Sequence, residues 1–90
     1  MSDAEVWHVE VAPAAVRALD RLPLKAATAI VEFITSTLPV NPHRMSKPLR
    51  YELEGLRSAR RGDYRVLFAL DEPNRVLRVI RIAHRADAYR

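Results

Sequence analysis

The 90-residue chain has no cysteine, only two glycines and two lysines, and no long apolar run. Without thiols, a disulfide scaffold, a thiolate zinc site and a cysteine nucleophile are all excluded. Gly55 and Gly62 stand alone, so neither a Walker loop nor a dinucleotide-binding glycine fingerprint is present. No stretch approaches the roughly 20 apolar residues that a membrane helix needs. The first residues, Met1-Ser2-Asp3-Ala4-Glu5, are acidic and lack the apolar region of a secretory signal. His8, His43 and His84 are too widely spaced to form a local ligand set, and no serine or threonine has a Gly-x-Ser-x-Gly context. Neither a metal nor another cofactor is therefore expected. What is present is 49% hydrophobic residues in a length that suits one small domain, residues 1–90. A soluble, cytoplasmic protein is expected.

The net charge is +4, and 13 of the 15 basic residues are arginine. Residues 1–42 carry a net −2, residues 43–65 a net +4, residues 66–74 a net −2 and residues 75–90 a net +4. Two basic blocks thus flank an acidic turn in the second half of the chain. Arginine neutralises phosphate and grips its oxygens in pairs, which points to a polyanionic partner. The plain alternative is a solvated basic face that keeps the protein soluble.

Residues 6–11 alternate, with Trp7, Val9 and Val11 on one side and His8 and Glu10 on the other, as in a half-buried strand. Pro13 suits the first turn of a helix, and Val16, Leu19 and Leu22 follow at helical spacing. Pro23 ends that helix and opens a second, which reaches about Leu38 with Ile30, Phe33, Ile34 and Leu38 on one stripe. Pro39, Asn41 and Pro42 begin a loop running to Pro48, and a strand is predicted from about Leu49. Gly62-Asp63 reads as a tight turn into the apolar strand 64–70, and residues 71–74 as a second turn. Residues 75–83 alternate, with Val76, Arg78, Ile80 and Ile82 on one side and Leu77, Val79, Arg81 and Ala83 on the other.

The order is β-α-α-β-β-β. It predicts an α+β fold in which an N-terminal helical hairpin packs on a small, mostly antiparallel four-stranded sheet. The turn at Gly62-Asp63 would bring the two basic blocks onto one sheet and concentrate positive potential there. Arg57, Arg60, Arg61 and Arg65 fall on the hairpin, and Arg81, Arg85 and Tyr89 near the chain end. Arg65 lies within an apolar strand, where an unsatisfied charge is costly. Either it serves an anion, or it pairs with Glu52, Glu54 or Asp63; Tyr89 is equally open to a packing role. His84 shares the side of Ile80 and Ile82 and reads as structural.

The stretches Lys47-Pro48-Leu49-Arg50, Leu53-Glu54-Gly55-Leu56-Arg57-Ser58, Arg60 to Phe68, and Ile82-Ala83-His84-Arg85 with Tyr89-Arg90 together resemble the RelE toxins of the RelE/ParE toxin–antitoxin superfamily. The Asn41-Pro42-His43-Arg44 loop and the Leu19 to Pro23 helix end are similar to its mycobacterial-type branch. The resemblance covers nearly the whole chain. It implies a ribosome-dependent mRNA endoribonuclease that cuts in the A site by metal-free attack of a ribose 2′-hydroxyl on the adjacent phosphate. It also implies a cognate RelB-type antitoxin, which in complex binds the operator DNA of its own module. Carried over by position, Arg65, Arg85, Tyr89 and Arg61 become the catalytic set. Lys47, Arg50, Arg57, Arg60 and Arg81 become contacts to RNA phosphates.

The chain also departs from the pattern. RelE proper has two lysines on the strand before the turn, where this sequence has Glu52, Glu54 and Gly55. Arginine is a poor proton carrier because its pKa exceeds about 12. The proton-transfer groups therefore stay open between Lys47 and Arg61. The alternative is a ParE-like toxin that inhibits gyrase without phosphate chemistry.

Overall fold

A computed structural model of the protein describes residues 6–86. Five strands, β1 (His8–Val11), β2 (Lys47–Pro48), β3 (Arg57–Arg61), β4 (Tyr64–Asp71) and β5 (Val76–His84), form one sheet in the order β1-β5-β4-β3-β2. Helices α1 (Pro13–Arg21) and α2 (Leu24–Glu32) connect β1 to the rest. The α+β architecture and the helical hairpin are as predicted, and β1 joins the sheet parallel to β5 while all other pairs are antiparallel.

The sheet has five strands instead of four. The segment expected to be one strand from about Leu49 is a two-residue edge strand, a 3₁₀ turn at Tyr51–Leu53, and then β3. Tyr51 (φ 61°) and Gly55 (φ 96°) both adopt left-handed backbone there, which a continuous strand does not accommodate. The Leu49, Leu53, Leu56 spacing is also nearer to a turn's period than to the two-residue period of a strand.

Trp7, Ile30, Phe33, Ile34, Leu38, Val66, Phe68, Leu77, Val79 and Ile82 form the core between helices and sheet. The α2 stripe is buried as expected. Beyond Glu32 the helix widens into a π turn at Phe33–Thr37, where the Leu38 N–H donates to the Phe33 carbonyl, and ends in a 3₁₀ turn at Leu38–Val40. The α1 stripe keeps Leu19 and Leu22, which pack on the core with Ala18, but its first member is Ala15, fully buried, and not Val16, which is 44% exposed. Positions 15, 18, 19 and 22 follow the i, i+3, i+4, i+7 rule, and small Ala15 lets the helix approach the sheet closely.

The β3–β4 hairpin closes through Gly62 at φ 62° with no positive φ at Asp63, as in a II′ turn, which matches strand twist. At the next turn Asp71 accepts hydrogen bonds from the backbone N–H (3.3 Å) and side-chain amide (2.9 Å) of Asn74. Arg75 there takes φ 56°, and its guanidinium lies 4.8 Å from the Trp7 ring centre. Between Leu67 and Phe68 the register with β5 slips by a bulge. The alternation predicted for β5 therefore breaks: Leu77 and Val79 are buried, and the next buried residue is Ile82. The extra residue moves Arg81 to the face opposite Leu77 and Val79, beside Leu67.

Candidate functional site

The helices cover one face of the sheet, and the basic residues of β3 and β4 are sorted by strand alternation. Arg60 pairs directly with Arg65, and Arg61 with Tyr64. Tyr64 packs on the core, so Arg60 and Arg65 share the open face while Arg61 points to the helical side. There Arg61 lines a groove with Lys25, Ala29, Ile30 and Tyr64. The arginine pair before the turn is thus split between two sides of the molecule.

On the open face, a cavity of about 340 Å³ is lined by Arg44, Met45, Ser46, Lys47, Ser58, Arg60 and Arg65. Each lining residue has a local cause. Lys47 lies opposite Ser58 in the β2–β3 pairing, and Ser58, Arg60 and Arg65 follow from the β3–β4 register. Arg44, Met45 and Ser46 come from the turn before β2. That turn is closed by Asn41, whose side-chain oxygen accepts from the Arg44 N–H at 3.3 Å and whose carbonyl accepts from the Met45 N–H at 3.2 Å. Ser58 is 9% exposed, and the Arg65 Nε is shut off from solvent. Like charges directly across a strand pair are destabilising, and here two guanidinium groups are so placed with two further cations around the same hollow. Such an arrangement is suited to an anion with several oxygens, to which arginine forks donate paired hydrogen bonds.

The other predicted positions are distributed as follows. Arg81 is half-buried on β5, opposite Leu67 and diagonal to Arg65 on the open face. Arg85 lies just past β5; its backbone N–H donates to the Asp63 carbonyl at 2.8 Å, and its side chain does not line the cavity. Arg50 is exposed before the 3₁₀ turn, to which its carbonyl contributes by accepting from the Leu53 N–H. Arg57 turns away from the cavity, and its guanidinium donates to the Ser46 hydroxyl at 2.7 Å and to the His43 and Ser46 carbonyls at 3.2 and 3.3 Å. Tyr89 and the side chain of Glu52 lie outside the described residues. His84 packs edge-on against Tyr64 with ring centres 5.6 Å apart.

Sequence reasoning missed Arg44, Ser46 and Ser58 as cavity residues. Ser58 was accessible in principle, since it alternates with Arg60 along β3. Arg44 and Ser46 carry no periodic signal because an irregular turn delivers them. Among the described residues no group of three or more histidine, aspartate or glutamate side chains is placed to hold a metal ion, and no helix is long and apolar enough to cross a membrane. A larger hollow of about 650 Å³ lies between α1 and α2, lined mainly by Val16, Leu19, Leu22, Leu24, Ala27 and Val31. Its walls are mostly apolar, with Asp20, Thr28 and Glu32 as the polar members and no cation to hold a phosphate, so the smaller cationic cavity is the site of interest.

Comparison with known proteins bears on the family and the fold. Residues 9–89 match the family described as ParE toxin of type II toxin-antitoxin system, parDE. The chain is 52% identical over 90 residues to Toxin RelE of Mycobacterium tuberculosis (all of this chain, 93% of the relative). It is 46% identical over 74 residues to Toxin RelG of the same organism (82% of this chain, 85% of the relative). Among solved structures it is similar to a chain of the M. tuberculosis toxin–antitoxin complex RelBE2, at TM-score 0.86 and 41% identity, covering 91% of this chain and 94% of that one.

Proposed function

The chain belongs to the ParE toxin family of type II toxin–antitoxin systems and is a toxin of RelE type, and from that premise we propose that it is an endoribonuclease acting on mRNA in the ribosomal A site. The observation that carries this reading is the cavity whose lining combines the cations Arg44, Lys47, Arg60 and Arg65 with Ser46 and Ser58. A phosphodiester seated there would meet cations on several sides. In the reaction the ribose 2′-oxygen attacks the neighbouring phosphorus, the bond to the 5′-oxygen breaks, and a 2′,3′-cyclic phosphate and a 5′-hydroxyl result. A base takes the 2′-hydroxyl proton and an acid returns one to the leaving 5′-oxygen.

Charge accumulates on the phosphorane oxygens during this step, and fixed guanidinium donors stabilise it without reorganising. Arg65 and Arg60 take that role, and Arg81 and Arg85 extend the cationic track along β5. Proton transfer falls to Lys47 in preference to Arg61, because Arg61 is on the helical side and a guanidinium is a poor proton carrier. Tyr89 would orient the nucleotide from the C-terminal segment. Ribosomes and mRNA place the activity in the cytoplasm. A RelB-type antitoxin would silence the toxin, as the toxin–antitoxin complex of the M. tuberculosis relative suggests, and would carry the pair to operator DNA.

The test is to map RNA ends on a translated message with wild-type protein and Arg65→Ala. Cuts within codons that vanish in the folded variant support the proposal. DNA breaks without RNA cuts would instead identify a gyrase inhibitor, and would overturn it.

A further inference from the structure

The cavity has two unlike walls. One is regular sheet, with Ser58, Arg60 and Arg65 fixed by the β3–β4 ladder. The other is the turn 42–46 running into β2, which is only two residues long. A two-residue ladder is a weak anchor for a wall that presents Arg44 and Lys47 toward Arg60 and Arg65, since the four cations repel one another. Something must hold the turn in place.

Arg57 is placed to do so. The Ser46 hydroxyl donates to the Pro42 carbonyl at 2.6 Å while accepting from the Arg57 Nε at 2.7 Å. The Arg57 Nη2 donates to the carbonyls of His43 at 3.2 Å and Ser46 at 3.3 Å. One guanidinium therefore joins the turn at two residues three positions apart, His43 and Ser46, and Arg57 itself is fixed on β3 opposite Phe68. We propose that Arg57 is a positioning residue: its guanidinium brackets the 42–46 turn from behind, and so sets Arg44, Ser46 and Lys47 in the wall of the cationic cavity. The role of Arg57 is then to shape the anion site and not to bind the phosphate. A lysine, with one point of attachment on a flexible stem, lacks the fork that reaches the hydroxyl and both carbonyls together.

This inference rests on the nuclease reading for its consequence in catalysis, but its structural half does not. The full chain is therefore examined as wild type, Arg57→Lys, Arg57→Ala, Ser46→Ala and the Ser46→Ala/Arg57→Ala double variant, by two readouts. In amide hydrogen exchange, Arg57→Lys raises the rates of residues 43–47 by about tenfold or more relative to β4, since hydrogen bonds from a charged group that hold a local segment are lost. In RNA cleavage, Arg57→Lys loses nearly as much as Arg57→Ala although it keeps the charge. The double variant is no worse than Arg57→Ala, because both changes break one bracket. Unchanged exchange in Arg57→Lys, or wild-type cleavage by Arg57→Lys, overturns the proposal. If wild type cuts no RNA but Arg57→Lys still frees residues 43–47, the bracket stands and the nuclease reading falls.

Discussion

The directly opposed pair Arg60 and Arg65 implies that the fold gives up stability to build its anion site, and Arg60→Gln tests this. With Cβ atoms about 5 Å apart and guanidinium centres splayed to about 7 Å, one repulsion amounts to about 0.6 kcal/mol at the dielectric of water and about 2.4 kcal/mol at an effective value of 20. Arg60 is exposed, so the lower figure applies. Lys47 and Arg44 line the same hollow and bring the total to about 1.5 kcal/mol. Against this, the variant loses the 3.3 Å bond from Arg60 Nε to the Gly62 carbonyl, an exposed contact of about 0.5 kcal/mol. The expected gain is about 1 kcal/mol at low salt, or roughly 4–8 °C in Tm for a domain of this size. In 0.5 M NaCl the Debye length falls to about 4 Å and the gain should largely disappear. RNA cleavage falls meanwhile by about a hundredfold if Arg60 stabilises developing phosphorane charge. Thermal unfolding at 20 mM and 500 mM NaCl measures the stability arm. A loss of stability that is the same at both salt concentrations would show that Arg60 is held by structural pairing, and would refute the reasoning.

Three further variants probe the scaffold, each by urea or thermal unfolding. Phe68→Ala removes a fully buried ring from β4 and should cost about 3–5 kcal/mol, a large share of a typical total of 5–15 kcal/mol; a loss below 1 kcal/mol would mean that the core is not organised around it. Tyr51→Asn relieves a left-handed backbone at a residue that is 89% exposed and should stabilise by about 0.5–1 kcal/mol. Gly62→Ala meets no atom within 4 Å but sits at φ 62°, so it should destabilise by about 1 kcal/mol through backbone strain alone.

Much of the fold was legible because it rests on local periodicity. Val9 and Val11 of β1 share a side, and Trp7 just before it is buried, as their alternation predicts, and the stripe from Ile30 to Leu38 is buried as its spacing predicts. The reading failed where a residue's phase is set from outside its own segment. Val16 outweighs Ala15 in hydrophobicity, yet the close packing of α1 favours the smaller side chain. Arg81 shares its parity with Leu77 and Val79 in the sequence, and the bulge opposite Leu67 and Phe68 that moves it to the other face leaves no mark in composition or alternation. Strand alternation also distributes Arg60 and Arg61 to opposite faces, so their adjacency in sequence argues against a shared role.

The same logic explains why arginine is not one functional class here. Arg60 and Arg65 meet across a ladder where charge is unfavourable, and that unfavourable placement is itself the argument for a ligand. Arg57 donates to a hydroxyl and two carbonyls, so its hydrogen-bonding demand is met by the protein's own turn. Arg75 stacks on Trp7 and braces the β4–β5 turn. A basic block in the sequence reports only that cations are plentiful. Whether a given cation serves an anion depends on how far the protein's own acceptors already occupy it: Arg57 donates three hydrogen bonds into the 42–46 turn, whereas exposed Arg60 donates one bond of 3.3 Å to the Gly62 carbonyl and keeps the rest of its fork toward the cavity.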